Sequence, residues 1–213
     1  MTREKEYRYT CPITDVRDAG EDGKRRLGGY AAVFDSIEPI GGEYREVIRP
    51  GAFTKTLRES DVVALWNHET GTVLGRMGNG TLTLAEDDHG LRFNLDLPDT
   101  TAGRDAFTLA RRGDVANMSF GFKPIRQEWS DIDTGDPLRE LREVALFEVS
   151  PVTFPAYKAT SVEARSVLER AKKSGDQGDD TTSAPGAEDS VHPEAGPSIL
   201  ILRRRLELME VSL

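Results

Sequence analysis

Val115-Ala116-Asn117-Met118-Ser119-Phe120-Gly121-Phe122 is the stretch on which the fold reading turns. In an extended chain, side chains alternate between two faces. Met118, Phe120 and Phe122 then share one face and suit a core, while Ser119 and Gly121 share the other. That second face is stripped of bulk around a hydroxyl, as close approach of another backbone would require. Outward from this run, 27–34, 62–66, 82–84, 91–97, 118–125 and 141–152 read as further short strands bounded by Gly, Asp or Asn turns. Asp87-Asp88-His89-Gly90 reads as a hairpin turn. Three helices are expected: 51–59 opened by Pro50, 102–112 between a Thr101 cap and a Gly113 stop, and 161–172 with Ser161 as cap. Many short strands with few helices predict an α+β, mainly β fold: a closed or nearly closed β-barrel surrounded by a few helices.

The chain has 213 residues, which allows one core of about 150 to 170 residues and a tail. It is 37% hydrophobic and 31% charged, low and high respectively for a chain packed throughout. A formal charge of −9 argues against a general nucleic-acid binder, because phosphate contacts need clustered Lys and Arg. Cys11 is the single cysteine, so neither an intramolecular disulfide nor a cysteine-rich zinc site is expected. The charged start lacks a signal-peptide core, and no apolar run reaches the roughly 18 residues that span a bilayer. The expectation is a soluble intracellular protein with no membrane partner, no nucleic acid and no cofactor.

Three segments follow from composition: a folded domain over 1–172, a flexible acidic linker over 173–198, and a short amphipathic helix over 199–213. The linker is Gly, Asp, Ser, Thr, Pro, Ala and Glu with hardly an apolar side chain, too little to offset the entropy of ordering it. Beyond it, Leu202, Leu206 and Met209 fall on one helical face, which suits a docking peptide as well as a frayed terminus.

Of the three histidines, His192 lies in the linker and His89 in a hairpin turn. His68 alone closes an apolar run, Val62-Val63-Ala64-Leu65-Trp66, at the point where a buried strand emerges. A histidine within reach of a serine can turn it into a nucleophile, which makes Ser119 and His68 a candidate pair. On the residues alone, Ser119 also fits a serine facing solvent on an edge strand, and His68 a satisfied structural histidine. Glu148 sits in the apolar run Val144–Val152, and a buried, unpaired carboxylate there would cost several kcal/mol, so it needs a partner such as an imidazole N–H. Glu143 and Glu69 compete for that role. The run around Ser119 is not a Gly-x-Ser-x-Gly elbow, and no His-Glu-x-x-His or phosphate-binding loop is present.

Five motifs occur in order: Arg49-Pro50-Gly51-Ala52-Phe53, Trp66-Asn67-His68-Glu69, Val73-Leu74-Gly75-Arg76, Met118-Ser119-Phe120-Gly121-Phe122 and Glu148-Val149-Ser150-Pro151-Val152-Thr153-Phe154-Pro155-Ala156. Together, over roughly Gly28 to Tyr157, they resemble the prohead (capsid maturation) serine proteases of tailed bacteriophages, which are related to herpesvirus assemblin. The resemblance implies a herpesvirus-protease-like barrel with a serine nucleophile and a histidine base. Carried over by motif, the catalytic residues are His68 and Ser119, with Glu148 in the third position that the herpesvirus relatives give to a second histidine. It further implies a serine endopeptidase acting on the major capsid protein precursor, on scaffold segments and on itself, inside the immature prohead in the host cytoplasm. The herpesvirus relatives suggest a homodimer, although no helix announces itself as the interface. The competing expectation is a non-catalytic head or scaffold component that keeps the fold and docks through its C-terminal helix.

Overall fold

The structure is a computed structural model, and it describes residues 5–18, 23–133, 135–154 and 161–174. Among the described residues ten strands form one hydrogen-bonded sheet: β1 (Glu6–Arg17), β2 (Arg26–Val33), β3 (Glu38–Ile40), β4 (Tyr44–Ile48), β5 (Val63–Trp66), β6 (Glu69–Arg76), β7 (Leu82–Glu86), β8 (Gly90–Asp96), β9 (Asn117–Ser130) and β10 (Leu138–Val152). Three α-helices accompany them among the described residues: α1 (Thr54–Glu59), α2 (Thr101–Arg112) and α3 (Ser161–Ser174). The expected mainly β, α+β class is what the chain adopts. Closure is not: the strand order β3-β4-β10-β9-β1-β2-β8-β7 has two ends, and β5 and β6 branch from β10. The linker over 173–198 begins, in the structure, inside α3, which runs on to Ser174; its remainder and the terminal helix over 199–213 lie outside the described residues.

β10 is the spine. It pairs antiparallel with β9 from Leu138↔Ser130 to Val152↔Asn117. Its other edge is shared by two short parallel partners, β4 at Leu138–Leu141 and β5 at Glu148–Val149. The gap between them is bridged by the segment leading into α1, where Val144 donates its N–H to the Ala52 carbonyl at 2.9 Å. Inside α1, the buried Thr56 hydroxyl accepts from the Leu146 N–H at 3.1 Å. A backbone that would otherwise lose its ladder partners thus stays satisfied. α1 starts at Thr54 rather than at Gly51, because Gly51 takes φ +88°, a left-handed conformation that a helix cannot contain.

The alternation expected around Ser119 is realised. Met118, Phe120 and Phe122 are fully buried, and Phe120 meets Phe53 edge-on with ring centroids 5.7 Å apart. The core continues through Leu27, Leu91, Phe93 and Leu95 of β2 and β8. α2 lays Gly103, Ala106, Phe107 and Ala110 inward at helical spacing. Its N-cap is Thr100, not Thr101: Thr100 is extended, and its hydroxyl accepts from the Gly103 N–H at 3.2 Å. Gly113 ends the helix in the left-handed region at φ +82°, as expected. The Asp87–Gly90 hairpin is also present, with Asp87 accepting from the His89 and Gly90 amides.

β1, β3, β4 and β6 are absent from the sequence reading. β1 escaped because part of what it buries is charge. Arg8 on β1 and Arg139 on β10, both buried, clamp Glu46 of β4 and Glu6 of β1. Arg8 donates to both Glu46 oxygens at 2.5 and 3.0 Å, and Arg139 reaches Glu46 at 2.9 Å and both Glu6 oxygens at 2.8 and 3.0 Å. Burial alone would raise the Glu6 carboxyl; the Arg139 and Arg8 guanidinia override it and hold it at about 2. Tyr44, at the edge of this cluster, is pushed up to about 12 by burial and by Glu46.

Candidate active site

His68 does not sit at a loose rim. Trp66 pairs with Glu69 across β5 and β6, so Asn67 and His68 are the two residues of a tight hairpin loop. Both have positive φ, 49° and 64°, the signature of a type I′ turn. Asn and His tolerate this region better than most residues, which is the local reason the pair can stand here. The loop is then tied to the end of β10. The Asn67 N–H donates to the Pro151 carbonyl at 3.2 Å, and Asn67 Oδ1 accepts from the Thr153 N–H at 2.9 Å. These bonds set the His68 backbone against β10 before its ring makes any contact.

The ring then meets Glu148. His68 Nδ1 lies 2.7 Å from Glu148 Oε1, with the Glu148 side chain 1% exposed and that of His68 19%. A carboxylate only accepts, so an ionised Glu148 assigns the proton to Nδ1 and leaves Nε2 with its lone pair. Nε2 is buried and, among the described residues, has no hydrogen-bond partner. The other Glu148 oxygen, Oε2, accepts from the Ser150 hydroxyl at 2.6 Å. Ser150 Oγ in turn accepts from the His68 backbone N–H at 3.3 Å. Tyr7 of β1 stands edge-on to the imidazole with ring centroids 4.5 Å apart.

Ser119 is delivered to the same place by strand register. It lies directly across from Ser150 in the β9–β10 ladder, and Gly121 lies across from Glu148. Directly opposed residues share a face, so Ser119, Gly121, Glu148 and Ser150 form one patch. Ser119 is wholly buried, which removes the solvent-facing reading, and among the described residues its Oγ has no hydrogen-bond partner. Burying an unpaired hydroxyl costs about 1–3 kcal/mol, and among the described residues no protein group satisfies either this atom or His68 Nε2.

The bare space beside Ser119 has a different occupant from the one expected. A Cβ on Gly121 would collide with Glu148 Oε1, and would lie 2.7 Å from Lys5 Cε and 3.1 Å from Tyr7 Cε1. Gly121 makes room for the carboxylate that reaches His68, not for an incoming backbone. The competing carboxylates are engaged elsewhere: Glu143 pairs with Lys55 at 3.3 Å, and Glu69 accepts from Thr72 at 3.4 Å. His89 stands edge-on to Tyr30, and His192 lies outside the described residues. Ser150 and Asn67 are contributors the sequence reading missed, and Gly121, placed on the right face, was read as space for a backbone. Ser150 was within reach of it, since the residue two along a strand from Glu148 must share its face. Among the described residues no group of three or more His, Cys, Asp and Glu side chains is placed to hold a metal ion.

The family model described as caudovirus prohead serine protease matches residues 13–174, a longer span than the motifs alone suggested. No curated protein matches the chain. A solved structure, that of the bacteriophage T4 capsid assembly protease gp21, superposes with a TM-score of 0.51 at 8% sequence identity, covering 70% of this chain and 97% of that one. At that identity the likeness speaks for the fold alone. With the family model spanning most of the sequence, the chain belongs to the caudovirus prohead serine protease family.

Proposed function

We propose that the protein is a serine endopeptidase of phage prohead maturation, with Ser119 as nucleophile, His68 as general base and Glu148 as the carboxylate that orients it. One observation carries the reading: the 2.7 Å His68–Glu148 hydrogen bond, on the sheet face that also bears Ser119. His68 Nε2 takes the Ser119 proton as Oγ attacks a peptide carbonyl carbon, and returns it to the leaving amine as the tetrahedral intermediate collapses. Water, deprotonated by the same nitrogen, then hydrolyses the acyl-serine and restores the free hydroxyl. Glu148 stays ionised throughout and stabilises the imidazolium as it forms.

The substrates in this reading are the major capsid protein precursor, scaffold segments and the chain itself, processed inside the immature head in the host cytoplasm by a protease that works as a homodimer. Family membership supports that setting. Among the described residues no helix is long and apolar enough to cross a membrane. The barrel-like closure implied by the herpesvirus relatives would need contacts beyond the present strand pairing.

The test is co-expression of the full chain with its capsid precursor, following both masses over time beside a Ser119→Ala variant. Trimming of the precursor by the wild type and its loss in Ser119→Ala supports the endopeptidase. An intact precursor beside the wild type would favour the non-catalytic head component.

A further inference from the structure

The assignment of Ser119, His68 and Glu148 leaves one buried hydroxyl without a role. Ser150 is wholly buried, and a hydroxyl offers one donor and two acceptor positions. Here it donates to Glu148 Oε2 at 2.6 Å and accepts from the His68 amide at 3.3 Å. With the His68 Nδ1–Glu148 Oε1 bond, these contacts close a ring that leaves His68 through its imidazole and returns through its backbone. We propose that Ser150 is a positioning residue for the reaction, fixing the Glu148 carboxylate and through it the His68 imidazole; this inference rests on the catalytic assignment above.

The physical case is one of freedom removed. A glutamate has three side-chain torsions, and a single bond from Oε1 to an imidazole leaves the carboxylate able to pivot about that contact. A second bond from Oε2 to a rigid strand position stops the pivot. Ser150 is such a position, because it sits two residues from Glu148 on β10 and is paired across the ladder with Ser119. The same hydroxyl grips the left-handed His68 backbone, so the ring and its carboxylate are referred to one atom. Ser150 is no second nucleophile, since its proton is held by Glu148. Burial matters as well: Glu148 is 1% exposed, which leaves no ready access for water to replace the lost donor.

A fluorophosphonate probe reads this directly, because its rate of reaction with Ser119 reports activation of the serine without a substrate of known sequence. Removing the hydroxyl in Ser150→Ala should slow labelling about 10- to 100-fold, the scale at which small misplacements are felt in catalysis. Ser150→Thr, which keeps the hydroxyl on a strand-compatible side chain, should recover most of the rate. In a Glu148→Ala background, adding Ser150→Ala should slow labelling no further, because the hydroxyl acts through the carboxylate. Ser150→Cys, nearly isosteric but a weak donor, should slow labelling and stands in should the alanine variant fail to fold. A wild-type rate in Ser150→Ala or Ser150→Cys, or equal slowing with and without Glu148, would overturn the proposal while leaving the nucleophile assignment intact. Labelling that survives Ser119→Ala would overturn that assignment, and this inference with it.

Discussion

Two buried polar clusters share strand β10 and are built on opposite terms. In the first, Glu6, Arg8, Glu46 and Arg139 are charged, shielded from water and fully engaged, with both oxygens of both carboxylates bonded to guanidinium groups. In the second, His68, Glu148 and Ser150 are linked, but the linkage stops short: among the described residues, His68 Nε2 and Ser119 Oγ are buried with no partner. Both draw on β10, the first through Arg139 and the second through Glu148 and Ser150. A cluster that holds strands together satisfies every group, whereas a cluster that must act on something else leaves its reactive atoms unpaired.

The contrast breaks first at Ser119. Replacing it with alanine should cost about 10⁴-fold or more in proteolysis, some 5.5 kcal/mol of transition-state stabilisation. Because the hydroxyl bonds to no side chain or backbone group among the described residues, chemical denaturation should show stability unchanged or slightly raised. A clear loss of stability would place Ser119 among the structural groups. Next comes Arg139→Ala, which strands two buried carboxylates and should lower stability by about 3–5 kcal/mol in a urea titration. The folded fraction should retain activity per molecule, since Arg139 touches neither His68 nor Glu148.

A smaller effect is expected at Gly121, where alanine pushes its Cβ into the Glu148 carboxylate and the Lys5 stem. Activity should drop about 10- to 100-fold as Glu148 is displaced from His68, with kcat rather than KM carrying the change. Full activity in Gly121→Ala would mean that the carboxylate has room to spare. The smallest effect concerns acid. Glu6 is held at about 2 against an ordinary 4.5, so the unfolded chain takes up this proton first as pH falls. The stability it contributes is complete above about pH 4.5 and declines toward pH 2. Glu6→Gln should flatten that part of the stability profile.

The two clusters also differed in how legible they were. β9 and β10 were readable because apolar residues alternate along them and mark a face, and that alternation placed Ser119 correctly. Glu148 was readable as a carboxylate in an apolar run, which has to find a partner. His68 was singled out by closing the Val62–Trp66 run, but its left-handed hairpin position was not, since two polar residues after a strand do not declare a turn type. The ionic cluster was invisible. Arg8 and Arg139 look like surface residues in sequence, and only long-range pairing across 38 and 93 positions makes their burial tolerable. β6 was missed for a simpler reason: it pairs only with β5, and most of its side chains face solvent, so no apolar face identifies it.

The central claim is that His68 activates Ser119. Its most direct test is to treat the full chain with a fluorophosphonate and map the adduct by peptide mass, in the wild type and in His68→Ala. The account predicts a single adduct on Ser119 in the wild type and almost none in His68→Ala, with Ser119 still present and the fold retained. An adduct on another serine, or equal labelling of Ser119 without His68, would contradict it.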